Sequence, residues 1–489
     1  MITQIEIDGF KTFKDFKVEL APFQVIVGPN GSGKSNLFDA LQLLSRLADA
    51  DLAHVSDDMR GDPSELFTKL PDGKSVDNIR IAVEMLLDST VRDQLGQETQ
   101  LKHRRLRYEI DIAQGIDTYG LERLYVRHES LRAISQNTDE WDKKYRPSSQ
   151  KNLQTNFSDD QATFIETKLT PVPVVSSKDK PERTVKQDMI YLYPDNDKDG
   201  QTAINRFYTS EVQRTVLSTI ANAAYPHAFA VHEEFLSLRI LHLNPEALRQ
   251  PSLTKGPRFL SHDGGNLPTT LARMQAEDKY ALTDVSRDMA NLVRGILKIR
   301  VEQDKPGDKY FIYAETSDQR TFSAQVLSDG TLRLLALATI RNDTRFHGTL
   351  CLEEPENGVE PLHLKTMARV LREMATDFAN SEQLDEPLRQ VLITTHSPTF
   401  ISLSEVIDCL LFAHIITIGG SGHNSLPLRV TRMEPVVTSK TLSQKEIHSE
   451  SDRTTEIYTI DMVRQYLISE NLEQANNKLK KARKISVEK

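Results

Sequence analysis

FQVIVGPNGSGKSNLFDALQLLSRLAD, residues 23–49, is the stretch on which the fold turns. FQVIV is apolar apart from Gln24, as in a strand covered on both faces. From Ser35 onward leucine and other apolar residues recur at helical spacing, which predicts a helix over residues 35–49 with one face on a sheet. Between them stands GPNGSGKS, residues 28–35, with the glycine, four-residue, Gly-Lys-Ser spacing of a P-loop in the strand-to-helix context it requires. Gly28, Gly31 and Gly33, interleaved with Pro29, Asn30 and Ser32, leave the backbone free to wrap phosphates, and the helix start directs its amides at the same place. Lys34 is expected to reach the β- and γ-phosphates of ATP, with the Ser35 hydroxyl on Mg2+.

Upstream, ITQIEI and FKVEL read as a strand hairpin, and downstream IRIAVEML, RLRYEIDIA and RLYVRHESL read as an antiparallel meander. From about residue 133 to 205 the chain is rich in Ser, Asn, Asp, Lys and Pro and poor in aliphatics, which predicts an irregular segment. Helical patterns are expected at 206–225 and 266–297, followed by strands at LKIRVEQ, KYFIYAE and FSAQVLS. Strand and helix then alternate through TLRLLALATIR, GTLCLEEP, the residues after Pro361 and QVLITTHS, the pattern of an α/β sheet with helices on its faces. The expected division is residues 1–132 and 286–440 as two halves of one head, 133–285 as an inserted helical or irregular subdomain, and 441–489 as a helical tail.

A P-loop needs an acidic partner on a neighbouring strand. TLCLEEPE, residues 349–356, ends an apolar strand in two carboxylates, which places Glu353 on the metal's water shell and Glu354 as the base or water-positioner for attack on the γ-phosphate. VLITTHSP, residues 391–398, delivers His396 to the same sheet edge, where it is a candidate contact to the γ-phosphate. A second phosphate-directed helix start lies at LSDGTLRLLAL, with Ser328, Asp329 and Gly330. One chain already has its cradle in GPNGSGKS, so this second start makes sense facing the nucleotide of a partner chain.

With 38% hydrophobic and 27% charged residues, the composition is that of a globular protein able to bury a core. The N-terminus carries no signal pattern and no run approaches a bilayer-spanning length, so a cytoplasmic protein with no membrane partner is expected. Cys351 and Cys409 sit in apolar runs and give no support to a disulfide framework. A net charge of -9 argues against a basic nucleic-acid coat, but local clusters at His103, Arg104, Arg105 and Arg107, and at Lys478, Lys480, Lys481, Arg483 and Lys484, leave DNA open as a partner.

The four motifs in this order resemble the ABC-type ATPase heads of the SMC, RecF and OLD families. In that resemblance GPNGSGKS is Walker A, LSDGT stands where the LSGGQ-like signature belongs, TLCLEEP is Walker B with its following glutamate, and THS carries the switch histidine. It implies a two-lobed α/β head that binds ATP and Mg2+ and pairs head-to-tail as a homodimer, sandwiching two ATP molecules. IEIDGFKTFKDFKVEL and LHLNPEALRQPS lean toward the OLD-like and RecF-like single-chain ATPases, and no heptad-bearing arms are present. The match covers roughly residues 1–130 and 240–400, with no convincing Q-loop glutamine in DDMRGDPSELF and with Glu360 standing where many relatives have histidine or aspartate. The residues after His396 contain no Asp-x-Asp pair, so a TOPRIM nuclease is not expected in the chain. The function so implied is a dimeric ATPase controlling a separately encoded effector, a nuclease or toxin, in bacterial anti-phage defence. A RecF-like repair ATPase on duplex DNA and a nucleotide-dependent scaffold with little turnover are the alternatives.

Overall fold

The structure, a computed structural model, describes residues 1–55, 59, 61–93, 95–116, 120, 122–146, 162–175, 181–195, 205–209, 213–257, 259–380, 383, 386–419, 427–437 and 458–469. Two large sheets organise them. The first has eight antiparallel strands, ordered Asn205–Tyr208, Pro181–Leu192, Thr163–Val175, Glu122–Ala133, Arg105–Ile116, Asn78–Leu86, Ile2–Asp8 and Phe16–Glu19. Ile5 and Ile7 turn inward while Gln4, Glu6 and Asp8 stay partly exposed, the alternation of a sheet with one face on the core.

The second sheet has seven strands, ordered Arg239–Leu241, Gly348–Glu353, Arg389–Thr395, Phe23–Val27, Leu410–Ile418, Leu428–Val437 and Tyr458–Thr459. The first five of these run parallel. Phe23–Val27 is buried at every residue, which explains its near-continuous apolar sequence. Its successive side chains enter different cores: Ile26 packs with Leu37, Phe38 and Leu41 of the helix Lys34–Asp49 and with the eight-stranded sheet, whereas Val25 and Val27 pack with Leu271, Val285, Leu335 and Leu371 on the other face. Helices Leu267–Glu277, Ala281–Leu292, Asp329–Asn342 and Pro361–Glu373 supply that second layer. The result is the expected α/β arrangement of antiparallel strands beside a mostly parallel sheet with flanking helices. Among the described residues, no helix is long and apolar enough to cross a membrane.

Several expectations from the sequence are corrected here. The stretch 133–205 holds a short helix, Glu140–Tyr145, and strands Thr163–Val175, Pro181–Leu192 and the start of Asn205–Tyr208, which extend the eight-stranded sheet. Helix was expected over 206–225, but that region carries a strand end and a 3-10 turn, Leu217–Thr219; the helix runs Pro226–Leu236, opened by a proline at its first turn, where the missing N–H costs nothing. The helical run 266–297 is two helices broken at Asp278, followed by the strand Ile296–Asp304. Residues 133–285 are accordingly divided between both sheets and the helical layer, since Arg239–Leu241 pairs parallel with Gly348–Glu353. Of the expected tail, the helix Ile460–Ser469 is described; the lysine-rich cluster from Lys478 lies outside the described residues.

The basic cluster at residues 103–107 proves to be internal. His103, Arg104 and Arg105 are buried, with Arg105 forked onto Asp139 through Nε at 2.5 Å and Nη2 at 3.0 Å. Half-buried Arg107 is paired with Glu6, Glu84 and Glu109 on the sheet face. This cluster holds the lobe together and offers no exposed basic stripe to DNA.

Glu129 is a fully buried carboxyl in the same lobe. It accepts from Tyr108 Oη at 3.1 Å, Val216 N at 2.6 Å and Leu217 N at 3.0 Å, so it pins the 3-10 turn to the sheet. Burial nevertheless outweighs these donors and pushes it from 4.5 up to about 7. A carboxyl whose folded value is raised stabilises fully below its unfolded value and loses that contribution as pH rises toward 7, an effect of about 3 kcal/mol at most. Below pH 4.5, Glu129→Gln should be less stable by roughly 1–3 kcal/mol, because its amide faces a backbone donor. It should also lack the downward slope of melting temperature between pH 4.5 and 7. Parallel melting profiles for the two proteins would refute this.

Candidate nucleotide site

The parallel register sets the site. Val27 lies opposite Thr395, Glu353 opposite Thr394 and Leu241 opposite Leu352, so four strands end together at one edge. Ligands of open α/β sheets bind at this edge. The loop at residues 28–33 bends back over it. A Cβ on Gly28 would come within 2.3 Å of the Ala413 carbonyl, and one on Gly33, at φ +93°, within 2.1 Å of Thr431 Oγ1, so the loop is moulded against the strands bearing those residues. Thr431 Oγ1 also donates to the carbonyl of buried Ser32 at 3.1 Å.

The helix Lys34–Asp49 begins at Gly33 with no side-chain cap and no acidic residue in its first turn, leaving its leading amides and positive dipole end for an anion. Lys34 Nζ donates to the carbonyls of Gly28 at 2.7 Å and Pro29 at 2.8 Å. Burial pulls its ammonium down to about 8, against the opposing charges of Glu354, Glu356 and Glu353.

Asn30, Gly31, Gly33, Lys34, Ser35, Asn36, His242, Glu353, Glu354 and Thr394 line one cleft of about 280 Å³. Glu353 ends its strand with a nearly buried side chain, and Glu354 follows at φ +45°, in the left-handed region, with both side chains on the cleft. Glu354 Oε1 lies 2.6 Å from His396 Nδ1, and Oε2 accepts from Asn357 Nδ2 at 2.7 Å. Burial raises Glu354, but these hydrogen bonds and the charges of His396 and Lys34 outweigh it and hold the carboxyl below its ordinary value. Glu356 is buried, hydrogen-bonded by Thr395 Oγ1, and raised mainly by burial.

Ser328, Asp329 and Gly330 are not part of this cleft's lining. Ser328 caps the helix Asp329–Asn342, its Oγ accepting from Thr331 N at 3.2 Å. Arg249 holds the approach to it, donating to Leu327 O at 3.1 Å and Asp329 Oδ1 at 2.5 Å. A Cβ on Gly330 would stand 2.5 Å from the Gly358 carbonyl, so this helix start is packed against the turn after Glu354. Glu360 is an exposed residue at the N-cap of Pro361–Glu373.

Sequence reasoning missed His242, whose Nδ1 stands 3.3 Å from Glu353 Oε2 at the end of the edge strand. Its ring faces that of His262 at 6.4 Å between centroids, and His262 Nδ1 is anchored 2.6 Å from the Ile240 carbonyl. The only sequence signal was the histidine of LHLNP, which directly follows the three-residue strand Arg239–Leu241.

The fold and this cleft define a P-loop ATPase head. The chain belongs to the family described as "AAA domain, putative AbiEii toxin, Type IV TA system", which it matches over residues 23–402. It is also 29% identical over 133 residues to the chromosome partition protein Smc of Bordetella petrii, an alignment covering 27% of this chain and 10% of that relative's length. Solved structures with a similar course include an SMC head bound to the C-terminal winged-helix domain of ScpA, with a TM-score of 0.46, 11% identity, and 90% and 99% of the two chains covered. A second is the SMC head with an extended coiled coil bound to the C-terminal domain of ScpA from Pyrococcus furiosus, with a TM-score of 0.45, 11% identity, and 91% and 98% covered.

Proposed function

We propose that this chain binds and hydrolyses ATP as a head-to-tail homodimer and controls a separate effector protein, a nuclease or toxin, in anti-phage defence. The observation that carries the dimeric reading is the separation of parts: Walker A, Glu353, Glu354 and, through Glu354, His396 meet at one cleft, whose lining leaves out Ser328–Gly330. The helix start at Ser328–Gly330, outside that cleft, then has its role on the nucleotide of the opposite head. The effector reading is supported by the toxin–antitoxin description of the family.

In this reading the amides of residues 28–35 and Lys34 hold the phosphates, and Glu354, steered by His396 and Asn357, aligns the attacking water. The residues present fit Mg2+: the Ser35 hydroxyl and the Glu353 carboxylate offer hard oxygen donors in one cleft. Among the described residues no group of three or more His, Cys, Asp or Glu is arranged as a metal site, which accords with an ion that takes its other oxygens from phosphate. Bound there, the ion would neutralise charge on the β- and γ-phosphates. His242, beside Glu353, offers the polar contact for which the sequence supplied no Q-loop glutamine.

The split site is tested by complementation. Ser328→Arg should bind ATP nearly normally yet fail to form a productive sandwich, and Lys34→Ala should fail to hold ATP. Mixed with each other, they form dimers in which one composite site has both defects and the other has neither. Random pairing should then return about a quarter of wild-type activity. A mixture as inactive as each parent, with mixed dimers demonstrated, would defeat the split-site reading, as would full activity of monomeric Ser328→Arg.

A further inference from the structure

The turn after Glu354 connects two parts of the head that the nucleotide chemistry treats separately. Within it, Asn357 N donates to Glu354 O at 3.1 Å and Val359 N to Glu356 O at 3.0 Å. The Asn357 side-chain amide reaches back to Glu354 Oε2 at 2.7 Å, while the main-chain carbonyl of Asn357 accepts from Arg333 Nη1. Arg333 lies on the helix Asp329–Asn342, one turn beyond Gly330, whose close approach to Gly358 brings that helix against the turn. A continuous set of contacts therefore runs Arg333, Asn357, Glu354, His396.

Both oxygens of Glu354 are taken, one by a group on the sheet edge and one by a group on the turn. A carboxylate gripped from two sides cannot swing about its last torsion, and its left-handed backbone fixes where the side chain leaves the chain. Asn357 itself is exposed, so its amide buries little and contributes little to the stability of the fold. Its position is explained by what it does to Glu354.

We propose that Asn357 is a positioning residue for Glu354, and that Arg333 sets Asn357 in turn, so that the docking of the signature helix aims the carboxylate of its own chain. This rests on the reading of Glu354 as the residue that aligns water.

The test uses the full chain, a fluorescent ATP analogue for affinity and single-turnover hydrolysis for rate. Asn357→Asp is isosteric but replaces the donor by an acceptor, so a role in shape alone would tolerate it. It and Asn357→Ala should bind nucleotide within about twofold of wild type while turning over roughly 10- to 100-fold more slowly, the worth of a hydrogen bond to a charged group. Arg333→Met should slow turnover in the same sense, and Arg333→Met with Asn357→Ala should be no slower than Asn357→Ala alone. In a Glu354→Gln background, Asn357→Asp should change the residual rate by less than about twofold. Wild-type turnover in Asn357→Asp alongside slow Glu354→Gln overturns the positioning role, as does a full additional loss in the Glu354→Gln background. Lost nucleotide affinity in Asn357→Asp also overturns it, because the turn would then be supporting the P-loop. Fast turnover in Glu354→Gln itself removes the assignment of Glu354, and the proposal with it.

Discussion

Lys34→Ala should weaken ATP binding by roughly 100-fold or more, because it removes the one ammonium in the loop that can form charge-assisted hydrogen bonds to the phosphates. The same side chain ties together the carbonyls of Gly28 and Pro29, so its loss also frees the loop to leave the shape that Gly28 and Gly33 impose. The fold should survive, since Ile26, Leu37, Phe38 and Leu41, which seat the strand and the helix, are untouched. Titration calorimetry on the purified variant, with its melting temperature as the control, gives the answer. Unchanged affinity would mean that GPNGSGKS is not the nucleotide loop.

Glu354→Gln should bind ATP and hydrolyse it roughly 100- to 1000-fold more slowly, because the amide keeps the shape and loses the base. The local contacts permit this. Its oxygen can still accept from Asn357, and its NH2 can face His396 when Nδ1 is unprotonated. The ATP-held dimer should accumulate and be visible by light scattering as a species of twice the mass. Turnover at the wild-type rate would place the base elsewhere, with Glu353 next in line.

The parts of this molecule that were legible in the sequence are those whose signal is local. GPNGSGKS, the two carboxylates after GTLCL and the histidine after QVLITT each announce themselves because an apolar strand, buried on both faces, ends in a polar group. Residues 163–192 hid their strands for the opposite reason. Beyond its start, Thr163–Val175 has lost its pairing with Glu122–Ala133, and Lys168, Leu169 and Lys186 to Asp188 are exposed, so no alternation marks a buried face. Pro171 and Pro173 fall in that outer part, where a strand edge can do without their N–H.

Long-range pairing was equally hidden. Arg104 and Arg105, a candidate DNA-facing cluster in the sequence, meet Leu87 and Asp139 only in the fold, and Glu356, for which the sequence suggests no role, is buried against Thr395. His242 was missed because the strand before it is only three residues long and the histidine acquires meaning only beside Glu353.

The position of Phe23–Val27 in its sheet also governs when the protein can begin to work. This strand leaves the ribosome long before its two neighbours, Arg389–Thr395 and Leu410–Ile418. At roughly 5–20 residues per second, a nascent chain waits on the order of a minute or less for either of them. Through that interval an apolar segment followed by a glycine-rich loop has no sheet to join, so it is a natural client for a holding chaperone. The props under Gly28 and Gly33, Ala413 and Thr431, are translated later still. The seat of the phosphate loop is therefore completed late, and a ribosome that stalls before residue 389 releases a fragment that carries the loop without the strands that hold it.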